Sequence, residues 1–98
     1  MLEKEIERRM VCLVKKRGGH CYKFTSPSNP GVPDRIVITP DGKVIFVELK
    51  TEVGRLSNIQ IWQRNEMQKR GADVRVIKGW DAAKKFVDEV IPDGIQAP

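Results

Sequence analysis

No apolar run in these 98 residues approaches the roughly 18 that a membrane-spanning helix needs. A single histidine and the lack of any Cys-x-x-Cys pair argue against a structural zinc site. There is no internal repeat and no low-complexity segment, which sets aside solenoids and compositionally disordered chains. Two cysteines, Cys12 and Cys21, are too few for a disulfide framework. The N-terminus is charged and helical in pattern, unlike a secretory signal, so a pair of reduced thiols in an intracellular, cytoplasmic protein is the expectation. What is present suits one domain of modest core over residues 1–91, with a frayed tail over 92–98. The net charge of +5 and pI near 9.5 favour a polyanionic partner without specifying which.

The hydrophobic pattern gives the order α-β-β-β-α-β-α. Leu2, Ile6, Met10, Leu13 and Val14 recur at helical spacing, and Gly18-Gly19 stops that helix near Lys16. A short strand follows over about His20 to Phe24, then a proline-rich loop from Thr25 to Pro33. Arg35 to Thr39 and Val44 to Leu49 read as a hairpin around Pro40-Asp41-Gly42. Ser57 caps a second helix that Gly71 ends, Asp73 to Lys78 makes the last strand, and Asp81 is placed to cap a third helix ended by Pro92. A mixed sheet flanked by helices, an α/β (α+β) arrangement, is the packing that buries these faces.

The chemistry gathers in the middle. Pro33-Asp34 is followed fourteen residues after the aspartate by Glu48-Leu49-Lys50. Side chains alternate along a strand, so Glu48 and Lys50 share a face, Leu49 points into the core, and the hairpin can bring Asp34 beside them. Two carboxylates suit a hard cation such as Mg²⁺, and a lysine beside them can orient or deprotonate water; that is chemistry for cutting a phosphodiester. Taken singly, Pro-Asp is a common turn and alternating charge is common on exposed strands. The run Val44-Ile45-Phe46-Val47, however, reads as a central strand covered on both faces, and a Glu and a Lys at its end need a reason. On the first helix, Glu3 falls inside the apolar stripe and Glu7 at its edge; either is an active-site acid or a solvated acid at the positive helix end. On the second, Leu56, Ile59, Gln60, Gln63 and Met67 share a face. Gln60 completes a capping box with Ser57, turns toward the site, or does both. Ile61 and Trp62 lie on another side, covered by the last helix or by a second copy of the chain. His20 reads as structural or surface. Lys23 and Arg35 flank the loop before Asp34 and are the best candidates for phosphate contacts.

These residues resemble the PD-(D/E)xK nuclease superfamily. More narrowly, Thr25-Ser26-Pro27, Gly31-Val32-Pro33-Asp34-Arg35, Val47-Glu48-Leu49-Lys50 and Leu56-Ser57-x-x-Gln60 resemble the virus-type replication-repair nuclease (VRR-NUC) family, over about Glu3 to Val87. The resemblance implies a restriction-endonuclease-like core and kinship with Holliday junction resolvases. It implies Mg²⁺ or Mn²⁺ bound by Asp34, Glu48 and the Leu49 backbone carbonyl, with Glu3 as the helix-one acid, Lys50 positioning the attacking water and Gln60 as the family glutamine. It also puts Ser26 with Lys23 and Arg35 in the loop region facing DNA, and places the protein on DNA in a phage-infected or bacterial cell. Symmetric cutting of a branched DNA would call for a homodimer. Three other readings remain open at this point: a flap- or nick-directed nuclease of the same chemistry, a non-catalytic DNA-binding module, and an accessory protein that recruits a replication partner.

Overall fold

The apolar stripe of the first helix fixes where the core lies. In the computed structural model, which describes residues 1–93, α1 spans Glu3–Lys16 and buries Ile6, Met10 and Val14 completely. Leu2 is the exception to the expected stripe. It sits at the helix N-cap with extended backbone and is 75% exposed. Chain order then runs β1 (His20–Lys23), β2 (Arg35–Ile38), β3 (Val44–Lys50), α2 (Asn58–Lys69), β4 (Val74–Lys78) and α3 (Trp80–Val90), the order read from the sequence.

The four strands form one sheet in the order β1-β2-β3-β4, antiparallel across the first two pairings and parallel between β3 and β4. The α2 helix is the crossover that a parallel pair requires. Alternation on β3 sends Ile45, Val47 and Leu49 into one face, where they meet Ile6, Met10 and Val14 of α1 and Phe86, Val87 and Val90 of α3. Each of these large buried side chains is worth roughly 1.5–3 kcal/mol against exposure. Arg17 closes this layer, donating to Asp88 at 2.6 Å and to the Ile91 carbonyl at 3.1 Å.

The other face is only partly covered, which corrects the expectation that β3 is enclosed on both sides. Val44 is 50% exposed and Phe46 half-buried, because α2 lies toward β4 and contributes no buried residue of its own. The last helix packs on α1 and β4, so it does not cover Ile61 and Trp62; Trp62 is 55% exposed. Asp81 does not cap α3 either. Gly79, at φ +85°, takes the N-cap position, and Asp81 falls in the first turn, where its charge favours the positive helix end. Of the tail expected over 92–98, residues 94–98 lie outside the described residues; Ile91 just before it is fully buried. Among the described residues, no helix is long and apolar enough to cross a membrane.

Candidate active site

The β2–β3 register builds the site. Arg35 pairs with Val47, so one step further along Asp34 faces Glu48 across the two strands. The Asp34 carbonyl accepts from Phe24 N–H at 2.8 Å, which ties this point of the chain to the end of β1. The preceding loop is pinned from the other side. Gln63 Nε2 donates to the Pro30 carbonyl at 3.1 Å, and Gly31, at φ +86°, presses so closely on Ile59 that an added Cβ would stand 2.8 Å from its carbonyl oxygen. The face of α2 on which Ile59, Gln60 and Gln63 were expected therefore holds the loop that delivers Asp34, a tie the sequence pattern gives no direct sign of.

Glu48 is 7% exposed, and Asp34 is half-buried with its Oδ1 atom buried and without a hydrogen-bond partner among the described residues. Burial, then the facing Asp34, pushes the Glu48 carboxyl up to about 7; Lys50 opposes this, and Glu3 and Glu7 add to it. Burial, then Glu7, likewise raises Asp34, against the pull of Lys23 and Arg35. Two carboxylates are thus forced together with insufficient positive charge between them. Lys50, two residues from Glu48 on the same face of β3, forms no ion pair within 4.0 Å among the described residues. An orphaned carboxylate oxygen and a strained acid pair fit a divalent cation. Mg²⁺ in particular is commonly held by one or two carboxylates, with waters and substrate phosphate completing its shell. The fit is to such an open site and not to a closed cage: no group of three or more His, Cys, Asp or Glu gathers as a metal cluster among the described residues.

The acids of α1 divide differently from the helical-wheel reading. Glu3 is exposed rather than on the buried face, although its charge acts on Glu48. Glu7 is the more buried of the two and is occupied: Arg35 forms a very close ion pair with it, and Lys23 Nζ lies 3.7 Å away. Burial alone would raise the Glu7 carboxyl, but these two cations hold it below its ordinary value. Strict alternation explains the arrangement. Arg35 follows Asp34 and so points to the opposite face, toward α1, with its side chain only 15% exposed. Arg35 is thus held in an ion pair, and Lys23, at the edge of the same cluster, keeps a side chain 63% exposed. Ser26 Oγ accepts from Asn29 Nδ2 at 2.9 Å within the loop.

Gln60 forms the capping box. Its Oε1 accepts from Ser57 N–H at 2.9 Å while its own N–H donates to Ser57 Oγ at 3.3 Å. His20 is exposed and stacks on Tyr22 at 5.4 Å, a surface role. Both cysteines are free thiols.

No family model matches the sequence. The chain is 40% identical over 79 residues to a phage protein named "Putative nuclease p44", from Acyrthosiphon pisum secondary endosymbiont phage 1, covering 81% of this chain and 85% of that one. Its fold is similar to a solved structure described as a VRR_NUC domain, with a TM-score of 0.81 and 28% identity over 88% of this chain and 94% of the other.

Proposed function

Because the chain belongs to the VRR-NUC family of nucleases, we propose that it is a Mg²⁺- or Mn²⁺-dependent DNA endonuclease that hydrolyses phosphodiester bonds in branched DNA, in the manner of a Holliday junction resolvase. The observation that carries this reading is the β2–β3 register, which one step beyond Arg35–Val47 sets the half-buried Asp34 opposite the buried Glu48, two mutually repelling carboxylates with Lys50, without an ion pair among the described residues, on the same face. Carboxylates aimed at phosphate would weaken a pure binding module, and a recruiting module has no use for them.

Asp34 and Glu48, with the Leu49 backbone carbonyl, would hold the cation. When bound, it would polarise the scissile phosphate and make its water more acidic. Lys50 donates to the attacking water, orients it in line with the departing 3′ oxygen and offsets charge that builds on the phosphate. Glu3, exposed at the start of α1, adds to the negative field at Glu48, and Glu7 holds Arg35 and Lys23 beside the loop. Gln60 acts through α2: its capping box fixes the first turn of the helix, whose Gln63 and Ile59 hold the loop before Asp34. Lys23, Ser26 and Arg35 are the side chains of this region that would meet the DNA backbone, Lys23 being the more exposed of the two cations.

A chain of this size carries one such site, and symmetric cuts across a four-way junction require two. We assign the second to a homodimer partner, with the exposed Trp62 and neighbouring Ile61 of α2 as the contact. The workplace of such an enzyme is DNA in the cytoplasm of a phage-infected or bacterial cell. The test is cleavage of a labelled four-way junction beside a linear duplex and a 5′ flap, with Mg²⁺, Mn²⁺ or EDTA. Paired symmetric nicks that require metal support the reading. Metal-dependent cutting of the flap alone would move the substrate to flaps, and no cutting of any of the three would refute it.

A further inference from the structure

The positive charge of this protein is concentrated on one side of one helix. At 100° per residue, Lys4, Arg8, Arg9, Lys15 and Lys16 fall on the side of α1 opposite Ile6, Met10 and Val14, and all five are exposed. The acid among them is Glu5, which pairs with Arg9 at 3.5 Å. Five cations against one acid leave a surplus of four, out of a net charge of +5 for the whole chain. All other surfaces together are therefore nearly neutral. Lys4, Arg8, Lys15 and Lys16 have no acid within 4.0 Å among the described residues.

A solvated helix face is the ordinary explanation of such a run, and it accounts for part of this one: Lys15 and Lys16 in the last turn complement the negative helix end. It does not account for Lys4, a cation in the first turn, where the helix field disfavours it. Nor does it account for the groove that joins the stripe to the neighbourhood of the site. That groove, shared by Lys4, Glu5, Arg8 and Cys12 with Glu7 and Arg35, connects the outer side of α1 to the ion pair of Arg35, the residue that follows Asp34. The N-terminal end of the same helix carries Glu3 and Glu7, whose charges reach Glu48. The stripe thus starts at the end of α1 that carries the Glu7–Arg35 ion pair, one residue along the chain from Asp34, and leads away from it.

We infer that the outer face of α1 is a second DNA contact, a track for the phosphate backbone of a duplex arm running from the scissile phosphate toward Lys16. From Lys4 to Lys16 the helix rises about 18 Å at 1.5 Å per residue, the axial length of about five base pairs at 3.4 Å each. The contact is to phosphate, so it is independent of sequence and sensitive to salt. It rests on the nuclease reading for the direction of the arm, but not for the existence of the contact.

Two measurements made in EDTA, where chemistry is silent, test it. In the first, a 20-base-pair duplex is titrated against wild type and against Lys4→Gln/Arg8→Gln/Lys15→Gln/Lys16→Gln over a range of salt. The slope of log K against log salt should flatten by about 0.9 for each phosphate contact removed, up to roughly 3.6. In the second, the wild-type thiols report directly. Cys12 lies exposed in the middle of the stripe, whereas Cys21 is half-buried with its thiol pushed up to about 11 by burial. Bound duplex should slow maleimide labelling of Cys12 at least several-fold, with Cys21 as the unreactive reference. An unchanged slope together with unprotected Cys12 on saturating DNA would overturn the inference, whatever the enzyme cleaves. Protection and a flattened slope without cleavage under any metal would leave the track standing and remove the nuclease reading.

Discussion

Glu48 should make the metal-free protein less stable as pH rises, because the fold pushes its carboxyl from 4.5 up to about 7. The sign follows from linkage. The unfolded chain ionises Glu48 above about 4.5, whereas the native state resists ionisation until about 7. The penalty is thus absent below the unfolded value, grows between the two, and is complete above about 7. A shift of that size corresponds to a ceiling of about 3 kcal/mol. Water reaching the open side of the site lowers this, and about 2 kcal/mol is the working figure. Glu48→Gln keeps the shape, removes the charge and relieves the repulsion on Asp34. In EDTA at pH 8 the variant should therefore melt about 10 °C above wild type, given 4–8 °C per kcal/mol for a domain of this size. At pH 4.5 the two curves should converge. Thermal unfolding by circular dichroism from pH 4.5 to 8 decides it. A difference in Tm that stays constant across that range would refute the argument that Asp34 and burial strain Glu48, and with it the electrostatic case for a cation site.

Other consequences are sharper in activity than in stability. Lys50→Ala should lower single-turnover cleavage by about 10²- to 10³-fold with little change in DNA affinity measured in EDTA, since the residue acts on the water. Gly31→Ala should cost about 2 kcal/mol by urea unfolding, because its positive φ and its 2.8 Å approach to the Ile59 carbonyl leave no room for Cβ; the displaced loop should also slow cleavage. Ser57→Ala breaks the capping box and should cost about 1 kcal/mol, read as a Tm lower by several degrees.

Much of this architecture was legible because each signal was local. Helix stops at Gly18 and Gly71, both with φ near +90°, and the Ser57–Gln60 box depend on neighbours a few residues away. The alternation of Glu48, Leu49 and Lys50 likewise requires only that β3 be a strand. Partners across the sheet were less accessible. Helical periodicity put Glu3 on the inner face, but α1 begins at Glu3, and the acid that turns inward to an ion pair is Glu7, one turn later. The Glu7 partner of Arg35 is of this kind: period-two alternation sends Arg35 to the face opposite Asp34, where a largely buried guanidinium needs an acid, but nothing local says which acid. Coverage of the second sheet face was overestimated for β3 because an apolar run does not reveal how far along the sheet its crossover helix lies. The link from Gln63 to Pro30 joins residues 33 apart through one hydrogen bond, and no pattern in the chain announces it.

Metal-dependent cleavage rests most directly on Asp34, which is set opposite Glu48 and whose buried Oδ1 lacks a protein partner among the described residues. Cleavage of a labelled four-way junction by wild type and Asp34→Asn, in Mg²⁺ and in EDTA, with gel-shift binding measured alongside, is the decisive comparison. Wild type should cut only with metal, Asp34→Asn should not cut, and the variant should still bind DNA in EDTA. Cutting that persists in EDTA, or that survives Asp34→Asn in Mg²⁺, would overturn the metal-site reading.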